Sequence, residues 1–128
     1  MDDLIEEAKL ARNNARAPFS KFKVGAALRT SGGKVYRGCN VENASYGLTV
    51  CAERVALLSA LAAGEREFTS IAVVTQSEEP STPCGPCRQL MWEYCGDLDV
   101  TLANLTGARV DYKLSTLFPH PFMFSLED

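Results

Sequence analysis

Residues 83–89 read Pro-Cys-Gly-Pro-Cys-Arg-Gln and set Cys84 and Cys87 three positions apart, a spacing that lets both thiols reach one metal ion. Zinc takes four ligands, so protein or water has to fill two more places. Pro86 suits the first turn of a helix, where a missing N–H costs nothing, and residues 86 to about 94 read as that helix. The positive end of a helix lowers a thiol pKa, and it is the thiolate that binds a metal. Cys51 opens a second helix in "CAERVALLSALAA", residues 51–63. Two helix N-termini could thus carry three thiolates, Cys51, Cys84 and Cys87, to one point.

The elements around this pair follow from periodicity. After Glu53 and Arg54 the helix over 52–63 is apolar almost all round, which predicts a central, buried helix capped by Gly64. Residues 3–15 carry Leu4, Ile5, Ala8, Ala11 and Ala15 on one stripe, with Asp3 and Glu6 resembling a capping box and Pro18 ending the helix. From Phe22 to Leu28 apolar and other residues alternate, predicting a half-buried strand. A turn at Ser31-Gly32-Gly33 returns the chain as a second strand over 34–41, completing a hairpin. A loop over 44–50, a buried strand over 69–75, a loop over 77–83 and strands over 98–105 and 108–113 complete the order, ahead of an irregular tail. This is an α/β order, a mixed sheet flanked by helices.

Bulk properties limit the function. A chain of 128 residues is one domain by length. A hydrophobic share of 46% with 23% charged residues is that of an ordinary globular protein, and no apolar run approaches a membrane span. The acidic, amphipathic start "MDDLIEEAKLARNN" reads as neither a secretory signal nor a transit peptide, so a cytoplasmic protein is expected. Net charge is −3 and no two basic residues adjoin, which disfavours a polynucleotide substrate. Five cysteines, an odd number, argue against a disulfide framework in a reducing compartment.

Glu53 decides between readings of the metal. Positions i and i+2 of a regular helix point apart, so Cys51 and Glu53 share a site only if Cys51 lies at or outside the first turn. A carboxylate beside a zinc with an open position is a general acid/base beside an activated water. The plainer alternatives are a closed structural zinc completed by Cys39 or Cys95, and a Cys51 that is simply part of the core.

"CAERVALL" followed by "PCGPCRQL" resembles the zinc-dependent cytidine deaminase signature, whose general form is His- or Cys-x-Glu followed by Pro-Cys-x-x-Cys. "APFSKFKVGAAL" and "GKVYRGCNVENASYG" are similar to the N-terminal half of the short, one-domain nucleoside deaminases, and the likeness runs over roughly residues 3–122. The resemblance implies a single domain over 1–128 with the three-layer α-β-α cytidine deaminase-like fold and a mixed five-stranded sheet. It implies one Zn2+ per subunit held by Cys51, Cys84 and Cys87, with water in the fourth place, and leaves Cys39 and Cys95 as inert thiols. Zinc brings the pKa of such a water toward about 7. Glu53 would shuttle the proton, while Arg54, with Gln89 as its neighbour, would offset the charge of three thiolates.

For substrate, the resemblance assigns Asn40 and Glu42 to the ribose hydroxyls and places Asn43, Ala44, Tyr46 and Ala52 in the same site, the tyrosine often reaching a neighbouring subunit. Phe22 and Phe122 match aromatic residues flanking the pyrimidine. His120 and Pro121 stand where the family has small residues, and His120 reads as a loop residue at the site mouth. The implied activity is hydrolytic deamination of cytidine and 2′-deoxycytidine to uridine and 2′-deoxyuridine, in pyrimidine salvage, by a homotetramer with shared active sites. This makes the enzyme a hydrolase acting on a cyclic amidine C–N bond. A deaminase for a cytosine-containing antibiotic such as blasticidin S, a polynucleotide-editing deaminase, and a non-catalytic zinc-stabilised binding module are the competing readings.

Overall fold

The computed structural model describes residues 2–78 and 85–122. Helix α1, Asp2–Arg12, leads into strands β1, Gly25–Thr30, and β2, Val35–Cys39; helix α2, Ala52–Ala62, and strand β3, Phe68–Thr75, follow. Helix α3, Gly85–Cys95, strands β4, Asp99–Asn104, and β5, Arg109–Lys113, and the short helix α4, Leu114–Leu117, complete the described chain. A 3-10 turn at Tyr46–Leu48 interrupts the loop before α2. The five strands form one sheet in the order β2-β1-β3-β4-β5. Only β3 and β4 run parallel; the other pairs are antiparallel.

Strand alternation assigns the two faces. Ala26 and Leu28 of β1, Ile71 and Val73 of β3, and Val100 and Leu102 of β4 pack under α2, α3 and α4. Ala27, Ala72, Val74 and Ala103 meet Leu4 and Ala8 of α1 on the opposite face. The result is three layers, α-β-α, as expected. Two glycines set how closely the helices lie. A Cβ on Gly25 would overlap the Ala8 carbonyl of α1, and one on Gly38 would overlap Ala52 and Ala56 of α2. Gly38 therefore lets the first turn of α2 rest directly on β2.

Several expectations need correction. The strand predicted over 22–28 starts three residues later and is covered on both faces, not half-buried, because α1 packs where alternation suggested solvent. Helix α1 ends at Arg12, and looser turns continue it through Ala15. The Asp3 and Glu6 carboxylates pair with Arg29 at 2.6 Å and Lys9 at 3.1 Å. Helix α2 is buried along Ala52, Glu53, Ala56, Leu57 and Ala60, but its other side exposes Leu58, Ser59 and Ala62. Within a single chain, then, it is a one-faced helix. It stops as expected: Gly64 takes φ 95° and donates to Leu61, and Glu65 donates to Ala60, the bond pattern of a Schellman end. An extra turn, α4, stands between β5 and the tail read as irregular.

Candidate active site

Strands β3 and β4 end at Thr75 and Asn104, and in open α/β sheets ligands bind beyond the carboxyl ends of such strands. Here α2 and α3 begin at that end. Cys51 is the N-cap of α2, with extended backbone at φ −74° and ψ 152°. It thus lies outside the first turn, the condition for sharing a site with Glu53. Cys87, fully buried, sits in the first turn of α3. Glu53 is 5% exposed and stands between the two: it accepts a hydrogen bond from the Cys87 thiol and feels the charge of Cys51. Burial pushes its carboxyl up to about 7; the nearby Cys51 adds to the rise, whereas its own backbone N–H, the Cys87 thiol and Arg54 oppose it.

Cys84 lies outside the described residues, and among those described no three His, Cys, Asp or Glu side chains group closely enough to hold a metal. The donor chemistry present still fits zinc, since Cys51 and Cys87 are soft ligands at the starts of two helices converging on Glu53. The other cysteines are elsewhere. Cys39 pairs in register with Gly25, whose absent side chain would point at α1, so Cys39 faces away from Cys51 across the sheet. Cys95 ends α3, eight residues or about 12 Å of helix beyond Cys87. Burial raises the Cys39 thiol and pushes Cys95 up to about 12, the state of inert thiols.

A cavity of about 190 Å³ opens above Glu53. Cys51, Ala52 and Glu53 form its floor, Phe22, Val24 and Val73 its apolar wall, and Asn40, Thr49, Val50 and Thr75 the rest. Asn40 is buried with its amide already engaged: Nδ2 donates to the Phe22 carbonyl at 2.7 Å, and Oδ1 accepts the Val24 N–H at 2.9 Å. It holds the Phe22 wall in place, leaving one N–H and one lone pair for a ligand.

A second cavity of about 420 Å³ adjoins, lined by Phe19, Ser20, Glu42, Asn43, Tyr46 and Thr49. Thr49 belongs to both. The Oε1 of Glu42 accepts the N–H groups of Phe19 and Ser20 at 2.9 and 3.0 Å, and the Ser20 hydroxyl donates to Oε2. These bonds, that of the Ser20 hydroxyl foremost, hold its carboxyl below the usual carboxylate range. Asn43 braces the loop, its Oδ1 accepting the Ser45 N–H and its N–H reaching Thr49 Oγ1. Tyr46 is 82% exposed. Ala44 is exposed and lines neither cavity.

Phe122 is not brought to the cavity of its own chain. It is 66% exposed, and Gln89 clamps its backbone from α3: Nε2 donates to the Phe122 carbonyl and Oε1 accepts the Phe122 N–H, both at 2.9 Å. Gln89, expected beside the thiolates, is thus engaged with the tail. His120 is exposed and lines neither cavity. Sequence reasoning missed Ser20 and Thr49. Ser20 lies 22 residues from the carboxylate it touches, and no local pattern links the two. It also missed Arg88, which ties α3 to α4 through the Leu117 carbonyl at 2.7 Å.

Known proteins resemble the chain in sequence and fold. Residues 1–102 match the family model of the cytidine and deoxycytidylate deaminase zinc-binding region. The chain is 51% identical over 120 residues to a cytidine deaminase of Halalkalibacterium halodurans, covering 93% of this chain and 91% of that one. It is 46% identical over 123 residues to a cytidine deaminase of Sporosarcina psychrophila, covering 95% and 90%. A crystal structure of cytidine deaminase from Burkholderia pseudomallei superposes with a TM-score of 0.92 at 55% identity, covering 94% of this chain and 98% of that one.

Proposed function

The chain belongs to the cytidine and deoxycytidylate deaminase family, and from that premise we propose that it is a single-domain deaminase of free pyrimidine nucleosides. Cytidine and 2′-deoxycytidine would be its substrates, and uridine or 2′-deoxyuridine and ammonia its products, as pyrimidine salvage in the cytoplasm requires. The observation that carries the reading is Glu53, buried between Cys51 and Cys87 on the floor of a cavity walled by Phe22. A closed structural metal would have no use for a carboxylate placed there.

Cys51, Cys84 and Cys87 would hold one zinc per subunit. When bound, zinc supplies the Lewis acidity that makes water nucleophilic at neutral pH. The residues of the chain do the rest. Phe22 and Ala52 hold the pyrimidine flat over Glu53, and Val24 and Val73 keep bulk water off it. As the water oxygen bonds to the ring carbon bearing the amino group, Glu53 takes one proton and passes it to the adjacent ring nitrogen. It then moves the proton of the new hydroxyl to the amino group, the carbon–nitrogen bond breaks, and ammonia leaves with a carbonyl behind it. A carboxyl near pH 7 suits both directions of transfer. Arg54, half-buried beside Glu53, offsets the charge of the thiolates.

Glu42, Asn43 and the remaining capacity of Asn40 face the sugar. Ala44, Tyr46 and Phe122 complete the site of a neighbouring subunit in a homotetramer. The apolar side chains left open in one chain support this, with Tyr46 82%, Leu48 66%, Leu58 46% and Phe122 66% exposed. The direct test is to incubate zinc-loaded protein with each nucleoside, assay ammonia and the uracil nucleoside, and measure the mass in solution. Equimolar products from a tetramer are expected; a monomer with full activity would remove the shared site.

A further inference from the structure

The sugar-side and base-side walls meet at residues 19–22, and Ser20 stands at the joint. Its hydroxyl donates to Oε2 of Glu42 and accepts the backbone N–H of Phe22 at 3.0 Å. The carbonyl of Phe22 is held by Asn40 at 2.7 Å. Both peptide groups of the Phe22 residue are therefore fixed, one through Ser20 and one through Asn40, and both restraints lead back to the segment 40–42. Between Ser20 and Phe22, Lys21 lies in the left-handed region at φ 61°, alone among the described non-glycine residues. An L residue stays there only when its surroundings impose it. The three bonds to Glu42, together with the Lys21 N–H on the Ala17 carbonyl at 3.0 Å, are what impose it here.

We infer that Ser20 is a positioning residue of the nucleoside site, its one hydroxyl setting the Phe22 ring and the Glu42 carboxylate in register with each other. The inference rests on the reading of the cavity as a pyrimidine nucleoside site. A nucleoside is a rigid pairing of base and sugar, so the two walls serve it only at a fixed mutual distance. Removing the hydroxyl takes one of three donors from Glu42, strips the Phe22 N–H of its partner and loosens a strained turn. Recognition weakens while Cys51 and Glu53, at the start of α2, and Cys87, in α3, are untouched.

The test compares Ser20→Ala, Ser20→Thr and Glu42→Gln, singly and with Ser20→Ala and Glu42→Gln combined, by steady-state kinetics on cytidine and by melting temperature. Ser20→Ala is expected to raise KM by about tenfold with kcat within about threefold, the signature of lost binding without lost chemistry. Ser20→Thr, which keeps the hydroxyl, restores KM. Because the two residues share the Ser20–Glu42 bond, the penalties of Ser20→Ala and Glu42→Gln should combine to clearly less than their product. An unchanged KM in folded Ser20→Ala, or penalties that multiply in full, overturns the inference while the nucleoside reading stands. A wild-type protein that leaves cytidine intact overturns that reading, and the inference with it.

Discussion

Glu53 and Glu42 face adjoining cavities, yet their surroundings push them in opposite directions. Glu53 is enclosed at a helix start, and burial brings its carboxyl up to about 7. Glu42 sits in a loop with donors on both oxygens, and the Ser20 hydroxyl above all holds it ionised. The pair teaches how one site divides labour between like groups. In the proposed reaction the carboxyl near neutrality would move protons, and the one held below the usual carboxylate range would accept hydrogen bonds. The division arises from backbone placement, since the side chains are chemically the same.

The largest effect is expected at the thiols that frame Glu53. Cys87→Ala should lose zinc, measured by metal analysis, and bring deamination to background, whereas Cys95→Ala, eight residues along the same helix, should keep both. Retained zinc in the first, or lost zinc in the second, would move the metal away from the Glu53 corner. Next comes the support under α2. Gly38→Ala drives a methyl group into Ala52 and Ala56, and overpacking of this kind costs about 1–3 kcal/mol. Because the displaced turn carries Glu53 and not Glu42, kcat should fall more than KM. The reverse split would mean that β2 supports the sugar side instead.

Glu42→Gln should be milder still, raising KM by about tenfold with little change in kcat, the loss of one charge-assisted bond. Its effect on stability carries a pH signature. Because the folded pKa lies below the unfolded value of about 4.3, the ionised carboxylate stabilises the fold at and above that pH, and the contribution fades as pH falls through the folded value. Melting temperatures of wild type and variant should therefore differ by a constant amount from about pH 6 to 8 and converge in stronger acid. A gap that widens on acidification would show that the bonds to residues 19 and 20 do not hold Glu42 charged.

The same contrast explains what the sequence made legible. The Glu53 corner is local: a cysteine, a glutamate two positions on and a helix start lie within one turn, so spacing and helix geometry point to it. The five strands and three main helices follow from periodicity for the same reason. The Glu42 corner is non-local, because Ser20 reaches it across 22 residues through a left-handed turn at Lys21 that no alternation signals. Tertiary cover, likewise, turned the strand expected to be half-buried into one enclosed on both faces, and left one side of α2 open in a single chain. Phe122 shows the limit most plainly: a matching residue type in the tail carries no information that Gln89 holds its backbone and leaves it 66% exposed in a single chain.

In the proposed reaction Glu53 moves the protons of deamination at an open metal site. The most direct measurement is the fall in ultraviolet absorbance of cytidine with zinc-loaded wild type beside Glu53→Gln. Wild type should turn cytidine over. Glu53→Gln should keep its zinc and its melting temperature but lose about 10²–10⁴ in kcat, the usual worth of a general acid/base. A folded, zinc-loaded Glu53→Gln that deaminates cytidine at the wild-type rate would contradict the account.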